Sequence, residues 1–374
     1  MKRINSIDTL RALAILFMIY CHFVIFLSPL NDQYKWPYFF ANHVIGDFAA
    51  PLFFFLVGIS QVISKNPHLK KAFLIFLSGL IFSLIIRGPM ALAEWDTLTF
   101  IGTTMFILHF LKSWKPIQLF LLAALIPCLS LLLRGQINYL SYWGDKLEFV
   151  PGISDFFPTI LADPSEEYKV LYNFKDVFIG FFLVGYFPVF PWLSIPLVGM
   201  GVGKLIFSPL KKFNSEFMIS FSGFIMIIVA CSLAYIAQFH SSDPATSFVS
   251  ILTFYPQSFS MLILQLGLCL FLFGLCRKFL DNKQLQSPWM IYLRLLSTFS
   301  LTIYFIHHMI VFWPIYIAGL LKGNIEYYYT NAMNSWMALL CATILLALLF
   351  PFLKFWQSKG NKYSLEWILK HFSA

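Results

Sequence analysis

Apolar residues run along this chain in long blocks, broken by short clusters of Lys, Asp, Asn, Pro and Gly. A helix that crosses hydrocarbon needs roughly 20 mostly apolar residues. Ten stretches meet that pattern, near 9–29, 44–64, 72–92, 97–112, 116–133, 177–206, 216–238, 248–275, 295–318 and 335–355. The fourth is short. The sixth is long and interrupted by Pro188, Pro191 and Pro196. The pattern predicts an all-α integral membrane protein, a polytopic bundle of about ten transmembrane helices in a single domain over 1–374.

Composition supports this reading. The chain is 59% hydrophobic and 11% charged, against about 25% charged for soluble domains, so its excess apolar surface is expected to face lipid. The six cysteines (Cys21, Cys128, Cys231, Cys269, Cys276, Cys341) lie in or beside apolar stretches without a CxxC pair, which suits packed thiols rather than a disulfide framework or a zinc site. Met-Lys-Arg followed by an apolar run imitates a signal peptide, but the run is long and Asp8 and Arg11 interrupt its start; an uncleaved first helix is expected.

Charge sorts by loop. With the N-terminus in the cytoplasm, the inside segments collect Lys2, Arg3, Lys70, Lys71, Lys112, Lys115, Lys211, Lys212, Arg277 and Lys278, while most acidic residues fall outside. Ten spans return the basic tail of about 356–374 to the same side. The net charge of +9 is therefore a topology signal, and nucleic-acid binding is not expected. The largest outside segment, about 134–176, mixes Asp145, Glu148, Asp155 and Glu166 with Tyr139, Trp143 and Phe156. Such a loop suits a sugar or an amine, or serves as a solvated cap.

Ionisable groups at membrane depth are costly and usually mark a site. Arg11 and His22 are eleven positions apart, about three helical turns, and so share a face of the first helix. His43 and Asp47 form an i,i+4 pair at the start of the second helix, where a carboxylate can raise the basicity of an imidazole. Ser300, Tyr304, His307 and His308 lie on the ninth helix at spacings of three and four; adjacent histidines point about 100° apart, so at least one is expected to face a polar cavity. Arg87, near Glu94 and Asp96, is placed for a substrate or a carboxylate. Each has a structural alternative: a snorkelling arginine, a core histidine bonded to a carbonyl, a pair facing water, an ordinary salt bridge. No HExxH, Walker or GxGxxG motif occurs. Gly199, Gly201 and Gly203 read as close helix packing.

The segment IDTLRALAILFMIYCHF (7–23) resembles the first helix of the acyltransferase-3 group, with Arg11 and His22 at the motif positions and Ala12 where glycine is usual. GDFAAPLFFFLVGIS (46–60) and YFPVFPWLSIPLVGMGVGK (186–204) resemble helices of the heparan-α-glucosaminide N-acetyltransferase family. STFSLTIYFIHHMIVF (297–312) resembles a late helix of both groups. The resemblance implies a bacterial inner-membrane acyltransferase with both termini cytoplasmic. It would move an acetyl or other short acyl group from acyl-CoA, without a metal, to a hydroxyl or amine of an extracytoplasmic glycan or glycolipid. His22 or His43 with Asp47 would do the chemistry, and His307 and His308 would line the cavity. Arg11 would hold the CoA phosphates, and Arg87, Ser300 and Tyr304 would meet the acceptor. His43 stands closer to Asp47 than the family pattern has its histidine, which leaves the choice between His22 and His43 open. Membrane lipid is a further partner, and a homo-oligomer is left open. The rival reading is a proton-coupled secondary transporter of a polar solute; a third is a scaffold in envelope assembly.

Overall fold

The computed structural model describes residues 3–29, 31–32, 35–64, 69–87, 95–137, 178–207, 215–240, 243–281, 287–322 and 332–373. Every regular element among them is helical. In chain order these are α1 (Asn5–Leu27), α2 (Trp36–Ile63), α3 (Leu69–Arg87), α4 (Thr97–Phe110), α5 (Pro116–Gln136), α6 (Gly180–Phe207), α7 (Ser215–Ala237), α8 (Phe259–Leu280), α9 (Pro288–Thr298), α10 (Ser300–Lys322), α11 (Ser335–Ser358) and α12 (Leu365–Ser373). Eight described helices are long and apolar enough to cross a membrane: α1, α2, α5, α6, α7, α8, α10 and α11. The expected third and fourth spans form α3 and α4, and α4 has only 14 residues. Large apolar side chains such as Leu121, Leu125, Leu132, Phe224, Ile228, Leu340 and Leu348 stand exposed, as a lipid-facing surface requires.

Several boundaries differ from the sequence expectation. α2 starts at Trp36, because a helical turn (Trp36–Phe39) and a π-helical stretch (Phe40–Ile45) extend it back into the expected loop, joined by a 3-10 turn (Gly46–Phe48) to the rest. The expected eighth span begins at Phe259 rather than 248; the preceding segment holds the cis Tyr255–Pro256 bond and turns. The expected ninth span is two helices, parted at Phe299. α12 was expected only as a tail. The outside loop lies almost wholly outside the described residues, as does Glu94.

The helices fall into two compact units. Among the described residues, the first comprises those up to Phe53 and from Phe279 onward; the second comprises those between, from Phe54 to Lys278. In the first unit α1 is central, with Leu10, Ala12, Ala14, Ile15, Ile19 and Val24 fully enclosed. It packs on α9, α10 and α11. The leading amides of a helix lack partners within it and favour an anion. Three helices of this unit meet that need with a carboxylate distant in sequence. Asp281 accepts from Ser6 N and Oγ on α1, at 2.7 and 2.9 Å. Asp32 accepts from Ser335 N on α11 at 2.9 Å. Glu366 of α12 accepts from Leu301 N, Thr302 N and Thr302 Oγ1 on α10, at 2.6, 3.1 and 2.5 Å.

Two expected results follow from these caps. Glu366→Ala leaves the first amides of α10 without their acceptor and should cost about 1–2 kcal/mol, read as a lower unfolding midpoint in detergent; an unchanged midpoint would show that water caps α10 as well. Asp32 lies in the link between α1 and α2. Burial raises its pKa, but bonds from Lys35 and Ser335 more than offset this, and the net shift is downward. A carboxyl depressed in the fold stabilises it above the unfolded-state value and loses that contribution as pH falls through the folded value. Stability should therefore decline on acidification by a step that Asp32→Asn lacks, measurable by unfolding across a pH series.

In the second unit, α6 is broken as its prolines predict. A π-helical turn (Gly180–Val184), a non-helical link and a short turn (Val189–Trp192) precede Ser194–Phe207, and the Phe190–Pro191 bond is cis. Trp192 is buried against Phe54, Phe187 and Phe254. The second half of α6 crosses the second half of α2 at backbone contact: a Cβ on Gly58 would overlap the Pro196 carbonyl oxygen, and one on Gly199 the Phe55 carbonyl oxygen. Gly201 meets the Phe120 ring and Gly203 meets Val62, so the expected glycine packing is present. Asp96 caps α4 through Leu98 N at 3.2 Å. Arg134, enclosed at the end of α5, donates to the Gln257 carbonyl at 2.8 Å.

Candidate active site

The candidate site residues read from the sequence fall, Arg87 apart, in the first unit. Two polar groupings lie along α1. Near its start Arg11 donates through Nη1 to Ser297 Oγ at 3.0 Å, and Ser297 Oγ donates to Asp8 Oδ1 at 2.6 Å. The other Asp8 oxygen pairs with Arg3 Nε at 2.9 Å. Arg3 also reaches Thr298 Oγ1 and the Arg294 carbonyl, while Arg294 donates to Asn5 Oδ1 at 2.9 Å. Arg3 directly and Arg11 through Ser297 thus meet one carboxylate, Asp8, at the junction of α1 and α9, with Arg294 on Asn5 and two more carboxylates close by, Asp281 on Ser6 and Glu366 near Arg11. Sequence reasoning noticed Arg11 but not Asp8, Ser297 or Arg294 as its companions. The i,i+3 spacing of Asp8 and Arg11 was the available signal.

Three turns further on, His22 meets α10. His22 Nδ1 lies 2.8 Å from His307 Nε2, and the two rings are nearly parallel, with centroids 5.1 Å apart. His308 stands 4.6 Å from His22 and 4.0 Å from His307, centroid to centroid. His307 and His308 are each 1% exposed. Helical geometry separates neighbouring residues by about 100°; here both rings still converge, because they straddle the direction that faces α1. Each is held by its own helix, His307 Nδ1 against the Ile303 carbonyl and His308 Nδ1 against the Tyr304 carbonyl, both at 2.9 Å. Tyr304 lies against both rings, and Phe26 and Phe312 form an aromatic wall beside them.

The nitrogens of the three histidines lie within 4.8 Å of one another. By this spacing the three could hold a metal ion; the 2.8 Å between His22 and His307 is also a hydrogen-bond length.

The other expected residues are placed differently. His43 Nδ1 is 3.5 Å from Asp47 Oδ2, an ion-pair distance longer than a good hydrogen bond. Asp47 is buried, whereas the His43 side chain is 53% exposed and packs on Phe39. The pair sits in the π-helical stretch of α2 and its 3-10 continuation rather than at a helix start. Ser300 opens α10, and no described contact joins it to the histidines; the stripe expected from Ser300 to His308 is gathered only at its Tyr304 and His308 end. Arg87 is the exception in the second unit. It closes α3, and its side chain lies outside the described residues.

Histidines brought together by helices long and apolar enough to cross a membrane, with Arg11 on the same α1, define a polytopic helical membrane protein with a polar site between its helices. Residues 3–235 match the family described as heparan-alpha-glucosaminide N-acetyltransferase, catalytic. The match covers well over half of the chain, and the protein belongs to this family, which implies a membrane acetyltransferase. The matched region holds Arg11, His22, His43 and Asp47 and stops short of His307 and His308. No curated protein matches the chain.

Proposed function

We propose that this protein transfers an acetyl or other short acyl group from cytosolic acyl-CoA to a hydroxyl or amine of an extracytoplasmic glycan or glycolipid, in the inner membrane of a bacterium with both termini cytoplasmic. The observation that carries the reading is the pairing of His22 with His307 inside the bundle, on the helix that also bears the Arg11 cluster. An eleven-residue helical separation is roughly 16 Å, long enough to part the charged end of a CoA molecule from its thioester. Arg11, with Arg3 and Arg294 beside it, is the candidate partner for the CoA phosphates. His22 is the base: it takes the proton of the acceptor O–H or N–H as the acceptor attacks the thioester carbonyl. The new C–O or C–N bond forms, the C–S bond breaks, and the imidazolium returns its proton to the departing thiolate, releasing CoA. The Tyr304 hydroxyl is the candidate donor to the developing oxyanion.

His43 with Asp47 is the second choice of base, placed toward the acceptor side. The test combines purified protein in lipid, labelled acetyl-CoA and a panel of glycans and amines. Transfer of label with release of free CoA supports the reading. Absence of both transfer and CoA binding by calorimetry overturns it, and solute uptake into proteoliposomes without CoA would favour a carrier.

A further inference from the structure

The hydrogen bonds of α10 decide which nitrogen of His22 carries its hydrogen. A backbone carbonyl only accepts, so the Ile303 oxygen, 2.9 Å from His307 Nδ1, requires a hydrogen on that nitrogen. A neutral imidazole carries one N–H and one lone pair. His307 is enclosed, and charge there is costly. In the uncharged ring, His307 Nε2 therefore bears the lone pair. That atom faces His22 Nδ1 at 2.8 Å, and two lone pairs do not share such a distance. His22 Nδ1 then carries the hydrogen, and His22 Nε2 carries the lone pair. Imidazole in water prefers the opposite tautomer, so His22 on its own would hold its hydrogen on the nitrogen that the chemistry needs bare.

We propose that His307 is a positioning residue that locks His22 as its Nδ1–H tautomer, fixes the ring plane, and so presents Nε2 as the proton acceptor. The proposal rests on the reading of His22 as the base. It replaces the cavity-lining role expected for His307 with a directional one. The chain of bonds runs from the Ile303 carbonyl through His307 to His22 Nδ1. When His22 Nε2 takes the acceptor's proton, the positive charge spreads over the ring and the Nδ1–H bond to His307 becomes charge-assisted, which is the stronger kind. His307 keeps its own hydrogen on Nδ1 throughout, and the proton returns from His22 Nε2 to the leaving sulfur.

The test uses the full chain in lipid bilayers with ¹⁵N-labelled histidine, reading ring-nitrogen shifts by solid-state NMR and assigning His22 by loss of its signals in His22→Gln. The expected result is a protonated Nδ1 and a bare Nε2 on His22. His307→Leu removes the acceptor; the His22 signals should move to the Nε2–H tautomer, and kcat should fall roughly 10- to 100-fold, as when an orienting hydrogen bond to a histidine is removed, with KM for acyl-CoA little changed. His307→Gln places a carbonyl oxygen near the lost Nε2. It should restore the Nδ1–H tautomer and recover a large part of the lost kcat, which a packing role for His307 would not predict. An Nε2–H signal on His22 in the unaltered protein overturns the proposal, as does a folded His307→Gln that behaves like the leucine variant. The NMR readout needs no turnover. Expected shifts in a protein that transfers no acyl group would leave the tautomer lock standing and reject the catalytic role of His22 by itself.

Discussion

His22→Ala is expected to lower acyl transfer by about 10²- to 10⁴-fold, the span a positioned base contributes, while acyl-CoA binding survives. The loss should fall on kcat, because the ring acts on the acceptor proton and stands some three turns of α1 away from the arginines that would meet the phosphates. The hole left in α1 is bounded by Phe26, His307 and His308, so the variant should be compared with His22→Gln, which keeps more of the packing and lacks a titratable nitrogen. Measurement of kcat and KM with labelled acetyl-CoA, alongside a calorimetric Kd, separates the roles. A His22→Ala protein with full kcat would move the chemistry to His43 and Asp47, whose replacement would then show the large effect.

The second large effect concerns assembly rather than chemistry. Gly199→Leu should destabilise the second unit by about 3 kcal/mol or more, at or beyond the top of the usual range for overpacking. The obstacle to a side chain at this position is a backbone carbonyl, Phe55 O, and no rotamer change can move it. Gly58→Leu meets the same limit from the opposite helix, against Pro196 O. Lower yield in the membrane fraction and a lower unfolding midpoint in detergent check the expectation. Gly135, whose added Cβ would meet nothing within 4 Å, provides the control: Gly135→Ala should be silent by the same measures.

Much of the bundle was legible because length and hydropathy decide membrane helices almost alone. The prolines at 188, 191 and 196 announced the broken α6, and the glycines from 199 to 203 announced a close crossing. The eleven-residue interval from Arg11 to His22 placed both on one helix face, and adjacent histidines at 307 and 308 promised a polar site. Harder to read was whatever depended on a partner far away in sequence. Glu366 bonds Leu301 across 65 residues, and Asp32 bonds Ser335 across 303; nothing local marks either as a cap. Asp8 was seen as a break in an apolar run, because its role comes from Ser297 on α9. The bounds of α2 were missed for a different reason. Tight and wide helical turns carry no distinct hydropathy pattern, so the start of α2, from Trp36 up to the expected beginning near 44, read as a loop. The break at Phe299 escaped notice because apolar residues continue across it.

The separation of His22 from His307 by 285 positions also bears on how the chain is made. Synthesis delivers α1, with Arg11 and His22, to the bilayer long before α10 exists. A guanidinium or imidazole stranded at that depth is costly, and the groups that later satisfy it, Ser297 and His307, are still untranslated. During that interval Arg11 and His22 lack Ser297 and His307, the partners they meet in the fold. Assembly of the polar site is thus a late event in biogenesis. Chains halted before α9 should expose the polar face of α1 to the cell's membrane quality-control proteases.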